Sequence, residues 1–134
     1  MTVLEVILTR GLPASGKTTW ARAKIASDPM FVRVSKDDLR RMIGAQFEDS
    51  ADPNLIHKLR DAVILIALDA GRSVIVDDTN IDPWHAEHIA DVVGDRATVK
   101  VMNLETSVEE CIVRNSQRTE PVGEDIIREL SDRL

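Results

Sequence analysis

Apolar positions in this chain form short continuous runs, separated by longer stretches in which they recur at helical spacing. That alternation predicts strands and helices in turn, with a parallel sheet. Val3 to Thr9 is a nearly continuous apolar run ending in Gly11, the pattern of a strand buried on both faces. A helix is expected from Lys17 to about Ser27, and a second strand over Phe31 to Val34. Ser35, with Asp38 three residues on, is a cap-like start for a helix carrying Leu39, Met42, Ile43 and Phe47. Asp52-Pro53 opens the next helix, which runs through Leu55, Ile56, Leu59, Ala62, Val63 and Ile66 and is closed by Gly71. Ser73 to Val76 is a third strand, leading directly into Asp77-Asp78-Thr79-Asn80. Asp82-Pro83 opens a helix that ends near Gly94, and Thr98 to Met102 is a fourth strand. Thr106 with Glu109 caps a helix striped by Val108, Cys111 and Ile112, and a final helix, Glu124 to Leu134, offers Ile126, Ile127 and Leu130. The expected architecture is a three-layer α/β domain with a short parallel sheet of about four strands flanked by helices.

With 134 residues, one compact domain over 1–134 is expected. Hydrophobic residues at 43% and charged residues at 30% describe a soluble globular chain. The amino terminus has no basic stretch, and Val6-Ile7-Leu8 is too short for a signal core or a membrane span, so a cytoplasmic protein is expected. Cys111, the single cysteine, reads as a buried thiol. A net charge of −6 argues against wrapping long duplex nucleic acid, whose affinity comes from cations on phosphates. The local concentration of Lys36, Arg40 and Arg41 still suits a short strand end.

The chemistry begins at Gly11-Leu12-Pro13-Ala14-Ser15-Gly16-Lys17-Thr18, which satisfies G-x-x-x-x-G-K-T between a strand and a helix. Glycines there let backbone N–H groups turn inward around phosphate oxygens, Lys17 adds a cation and Thr18 can ligate Mg²⁺. Asp77-Asp78 at a strand tip fits the acid pair that completes such a metal site, although acids also cap turns. In Ser35-Lys36-Asp37-Asp38-Leu39-Arg40, Asp37 can orient a hydroxyl nucleophile and take its proton. Arg40 lies one helical turn from it, suited to a fixed anionic group of the acceptor. Asp38 fits ordinary helix-start chemistry. Arg114 and Arg118, four residues apart, are expected on one helix face, where they reach the triphosphate together, and Thr119 to Gly123 reads as a loop that closes over it. His57, His85 and His88 match no zinc pattern, and Trp20 and Trp84 read as packing residues.

These pieces, in this order, resemble the kinase domain of phage T4-type polynucleotide 5′-kinases, within the wider group of small P-loop kinases. The resemblance is carried by Gly11 to Ala21, by Lys36-Asp37-Asp38-Leu39-Arg40, by Asp78-Thr79-Asn80 and by Arg114-Asn115-Ser116-Gln117-Arg118. It implies a P-loop NTPase-like fold with a lid around 114–123. It implies an ATP-dependent kinase acting on the 5′-hydroxyl end of DNA or RNA, in the host cytoplasm if phage-encoded, in nucleic acid end repair. Gly11, Pro13, Ala14, Ser15, Gly16, Lys17, Thr18 and Thr19 would surround the ATP phosphates, with Mg²⁺ held by Thr18 and Asp78. Asp37 would be the general base, and Arg40 would engage the acceptor's phosphate, with Thr79 near it. Arg118, helped by Arg114, would clamp the donor, and Val122 would cover the adenine. Two departures stand out: Leu39 occupies a position often aromatic in that family, and the chain ends at Leu134, where T4-type enzymes continue into a phosphatase domain. A small-molecule kinase on the same scaffold is the nearest alternative. A GTPase-type switch fits less well, since Asp77-Asp78-Thr79-Asn80 lacks the expected glycine and no Asn-Lys pair occurs.

Overall fold

The computed structural model describes residues 3–44 and 53–134. Its strands are β1 (Glu5–Arg10), β2 (Phe31–Val34), β3 (Ser73–Val76) and β4 (Thr98–Asn103), and its helices are α1 (Lys17–Ser27), α2 (Lys36–Met42), α3 (Pro53–Asp69), α4 (Pro83–Val93), α5 (Val108–Ser116) and α6 (Glu124–Asp132). The strands form one four-stranded sheet in the order β2-β3-β1-β4, parallel throughout. This is the P-loop NTPase-like α/β fold.

Strand alternation distributes the apolar residues between two faces. Val6, Leu8, Val74 and Val76 point to one side, where Ile56, Ile64, Ala67 and Leu68 of α3 and Ile89 and Val93 of α4 cover them. Ile7 and Ile75 point to the other, against Phe31 and Ala21, with Trp20 and Ile25 of α1 partly buried around them. A third apolar cluster sits beyond the strand tips, joining Leu12 and Ile81 to Cys111 of α5 and Ile127 of α6. Burial of Cys111 raises its thiol pKa, and Sγ lies 3.8 Å from the carbonyl of Thr106. Among the described residues, no helix is long and apolar enough to cross a membrane.

Several local expectations shift. β1 starts at Glu5, and α2 ends at Met42 with Ile43 as its C-cap. Phe47 and Asp52 lie outside the described residues. The buried face of α3 runs through Ile56, Arg60, Ile64, Ala67 and Leu68, while Leu55 and Ile66 are exposed. The apolar stripe read from the sequence was rotated because an arginine occupies the middle of the true inner face. α5 is capped by Ser107, whose side chain accepts from the Glu110 N–H, rather than by Thr106. Trp84 is 44% exposed and lies outside the core, its ring packing on the His88 ring at 4.7 Å.

One junction ties the C-terminal ends of β1 and β3 together. Asn80 has a left-handed φ of 47°, which aims its amide between two strands. Its Nδ2 donates to the carbonyls of Thr9 (2.7 Å), Val76 (3.2 Å) and Asp78 (3.2 Å). Thr9 Oγ1 in turn donates to Asp78 O at 3.0 Å. Asn80→Ala is expected to cost about 2–3 kcal/mol through those lost buried bonds and a left-handed alanine. Asn80→Gly should cost about 1 kcal/mol less, since glycine accepts that backbone. Urea midpoints of the two variants, at unchanged m, test both expectations.

Candidate functional site

The loop between β1 and α1 is fixed at both ends by groups from other segments. Gly11 N–H donates to Thr79 O at 3.1 Å. Ser15 O accepts from Thr106 Oγ1 at 2.8 Å and from Arg114 Nη1 at 3.5 Å. Thr106 therefore serves the loop rather than the helix cap. A side chain at Gly11 would stand 2.8 Å from Ser15 Oγ and 3.1 Å from Leu104 O, so the turn has no room for one. Ala14 (φ 64°) and Gly16 (φ 106°) are left-handed, and such residues turn successive amides toward a common point. Gly16, the N-cap of α1, supplies no side-chain acceptor, unlike Ser35, Asp82 and Ser107 on α2, α4 and α5. The first N–H groups of α1 face the loop without a side-chain cap, an arrangement suited to anions.

Lys17 lies folded into this loop, 8% exposed, with Nζ donating to the carbonyls of Gly11 (3.0 Å) and Leu12. Burial lowers its pKa to about 8, against the opposing pull of Asp77 and Asp78. Arg118 also lowers it, so that guanidinium stands within electrostatic reach. Pro13 and Gly16 are half-buried, and Thr19 is exposed on the first turn of α1.

Of the two acids at the tip of β3, Asp77 is the one that meets Thr18. Thr18 Oγ1 donates to Asp77 Oδ2 at 2.8 Å, and Arg33 Nε donates to the same oxygen at 2.7 Å. Asp78 turns the other way: its Oδ1 accepts the Lys36 N–H at 3.0 Å, and its Oδ2 is buried without a partner. Burial raises Asp78 to a pKa of about 6, partly offset by Lys36. Arg33 extends the network, its Nη1 donating to Asp38 Oδ2 at 2.6 Å, while Arg41 Nη1 reaches Asp38 Oδ1 at 2.9 Å. Burial works against the Arg33 charge, yet hydrogen bonds to Asp77 and Asp38 hold its pKa above the ordinary value.

The start of α2 is thus held from two sides, through the Lys36 amide on Asp78 and the Asp38 side chain on Arg33. Between them Asp37 stands half-exposed, its Oδ1 accepting from Arg40 Nη1 at 2.9 Å. The one-turn spacing of Asp37 and Arg40 produces that pair, where the sequence pointed Arg40 at an anionic group of the acceptor. Thr79 contributes its carbonyl to Gly11 and leaves its side chain half-buried.

Arg118 does not lie on α5. The helix ends at Ser116, with Gln117 as C-cap, and Arg118 N–H bonds back to Asn115 O in the following turn. The cause is Asn115, which is buried and bonds Val122 twice, Nδ2 to Val122 O at 2.7 Å and Val122 N–H to Oδ1 at 3.0 Å. Those bonds turn the chain out of the helix and close 116–121 into a loop. Val122 packs against the cluster of Leu12, Cys111 and Ile127. Arg114 Nη2 pairs with Glu110 at 2.8 Å. Arg41, Arg118, Thr119 and Glu120 line a cleft of about 340 Å³ between α2 and this loop.

Sequence reasoning gave no role to Arg33, Thr106 at the loop, or Asn115. An arginine inside the short apolar strand β2 was the available signal for Arg33. Thr106 acts on a backbone carbonyl 91 residues away, and Asn115 on the backbone of Val122 beyond the end of its helix, contacts that helical spacing does not reveal.

The sequence profile described as AAA domain matches residues 6–134. Among solved structures, a chain of the Pnkp1/Rnl/Hen1 RNA repair complex matches at TM-score 0.87 and 24% identity, covering 100% of this chain and 45% of that one. This chain therefore spans less than half the length of that relative. The Mycobacterium tuberculosis APS kinase CysC, in complex with AMPPNP and APS, matches at 0.68 and 20%, covering 87% of this chain and 71% of that one. A gluconokinase from Sinorhizobium meliloti matches at 0.64 and 16%, covering 100% and 77%. At these identities the likeness is one of fold.

The lowered pKa of Lys17 gives the loop a pH signature. As pH rises through about 8 the free site loses its ammonium charge, while bound phosphate would hold the proton more tightly. Affinity for a nucleoside triphosphate should therefore fall from about pH 7 to about pH 9. Lys17→Met should bind at least roughly tenfold more weakly and lose that slope. Calorimetric titrations across pH check both expectations.

Proposed function

The chain belongs to the AAA domain family and has the fold of a P-loop kinase, and on that premise we propose that it transfers the γ-phosphoryl group of ATP to the 5′-hydroxyl end of a DNA or RNA strand. The observation that carries the reading is the continuous network Thr18–Asp77–Arg33–Asp38, which ties the phosphate loop to the helix bearing Asp37 and Arg40. Donor and acceptor groups on one rigid frame are what an in-line displacement requires.

In this reading the loop amides and Lys17 hold the donor phosphates, and Arg118, from the loop after α5, approaches them from the opposite side. The acceptor hydroxyl oxygen forms a bond to the γ-phosphorus as the bond to the β–γ bridging oxygen breaks. Its proton passes to the Asp37 carboxylate, which Arg40 keeps oriented, and ADP leaves. The oxygen pair Thr18 Oγ1 and Asp77 Oδ2, already adjacent, fits a hard divalent cation such as Mg²⁺, which usually takes one or two protein oxygens besides phosphates and water. Such an ion would neutralise charge on the phosphates. Asp77 is proposed for that position in preference to Asp78, whose Oδ1 is committed to the Lys36 amide.

A strand end suits the cations gathered around the acceptor side, Lys36, Arg40 and Arg41, and the fold match to a chain of an RNA repair complex supports the choice. Acceptors of the size used by the APS kinase and gluconokinase relatives are the second reading, favoured by the larger share of those chains that this one covers. Radiolabel transfer from ATP to a 5′-hydroxyl oligonucleotide, compared with nucleosides and sugar acids, separates the two. Transfer to small molecules alone would overturn the first. Asp37→Asn should lose transfer by about 10²–10⁴-fold while ATP affinity stays unchanged, a split read from kcat and a binding titration.

A further inference from the structure

Two arginines flank the end of α5, and only one of them belongs to the helix. Arg114 sits in its last turn, with Nη1 at 3.5 Å from the Ser15 carbonyl that Thr106 also bonds, so both ends of α5 are tied to the phosphate loop. A helix continued to Arg118 would carry that residue about 6 Å along the axis beyond Arg114. The chain turns back instead, with Gln117 N–H on Arg114 O and Arg118 N–H on Asn115 O. Arg118 is thereby kept within electrostatic reach of Lys17. Asn115 enforces the turn. It is 5% exposed, and its carboxamide presents a donor and an acceptor side by side, matching the C=O and N–H of Val122 at 2.7 and 3.0 Å. Val122 packs in turn on the apolar cluster that contains Leu12, whose carbonyl accepts from Lys17 Nζ. One cluster thus supports both the grip on the Lys17 ammonium and the point where Arg118 leaves the helix. Beyond that point the loop reaches α2, where Glu120 stands 4.0 Å from Arg41, and Arg118 lines the cleft between them.

We infer that Asn115 is a positioning residue for phosphoryl transfer: by ending α5 at Ser116 and bonding Val122, it sets the Arg118 guanidinium where charge develops on the transferring phosphoryl group. The inference rests on the donor side of the reading above and does not depend on which acceptor is used. Both polar atoms of Asn115 are committed to Val122, so it acts only through the backbone that it holds. Loss of the two bonds releases the segment between them. Glutamine and arginine are good helix formers, so Gln117 and Arg118 can then add to α5 and draw the guanidinium off the donor. The ground-state grip is separate, because the loop amides and Lys17 hold the donor phosphates without Arg118. A displaced Arg118 therefore lowers the rate more than the affinity.

The test is a double-mutant cycle on the full chain, with Asn115→Ala, Arg118→Ala and the two together. Two rates are read, transfer from ATP to a 5′-hydroxyl oligonucleotide and hydrolysis of ATP with no acceptor, alongside calorimetric affinity for ATP. Arg118→Ala should lower kcat by roughly 10²-fold or more, and Asn115→Ala by roughly tenfold or more. ATP affinity should fall by no more than about threefold in Asn115→Ala. The double variant should match Arg118→Ala within about twofold, because a residue that acts only through Arg118 has nothing left to contribute. Losses that multiply, or an ATP affinity that falls as far as kcat, overturn the inference, since a general loosening of the fold acts with or without Arg118. If Asn115→Ala does not fold, Asn115→Ser, whose shorter side chain cannot bond both backbone groups of Val122, carries the same cycle. Non-additive hydrolysis rates with no transfer to the oligonucleotide sustain the role of Asn115 and remove the polynucleotide reading. Transfer with multiplied losses does the reverse, and an intact chain that neither transfers nor hydrolyses overturns both.

Discussion

A buried ammonium group must be given acceptors, and the architecture follows from how Lys17 gets them. Its partners are carbonyls of its own loop, Gly11 and Leu12, so the loop has to curl around the side chain that it carries. That curl requires a bare Cα at Gly11, left-handed backbone at Ala14 and Gly16, and outside support for a segment with little regular hydrogen bonding of its own. Thr79 and Thr106 supply the support, each from the segment beyond a strand adjacent to β1. The strand order β2-β3-β1-β4 puts β1 between the two elements that brace its exit.

The second layer of organisation is electrostatic. Asp77 accepts from Thr18 and Arg33, and Arg33 bridges to Asp38, so charge alternates from the phosphate loop to the helix that bears Asp37. Buried ion pairs of this kind add little net stability, because desolvation offsets most of the attraction. Their value here is geometric. Each side chain has a fixed bond at either end, which holds α1, β2, β3 and α2 in one register at their functional ends. Asp78 adds an independent tether through the Lys36 amide.

Most of the scaffold was legible because it is written in local patterns. Apolar runs marked the strands, Asp82-Pro83 and Gly94 bounded α4, and the one-turn spacing of Asp37 and Arg40 put the two side chains on one side of α2. The misreadings share a physical origin. Arg60 sits where an aliphatic residue would be expected, so the inner face of α3 looked like its edge. Spacing alone put Arg118 on a helix that Asn115 ends early by bonding Val122. Trp84 carried a large apolar surface into an exposed position, contrary to the tendency that made it look like core. In each case a particular polar or aromatic contact overrode the simple apolar or spacing preference.

The paired bonds between Asn115 and Val122 work like a clasp at the neck of a purse. The residues strung between them are held at that neck and by a 4.0 Å ion pair of Glu120 with Arg41, while the flanking helices bury their apolar stripes in one shared cluster. Substitutions inside the pouch can thus alter what it touches without a cost to the core. A few surface residues there can be rewritten to meet a different ligand while the clasp is left alone.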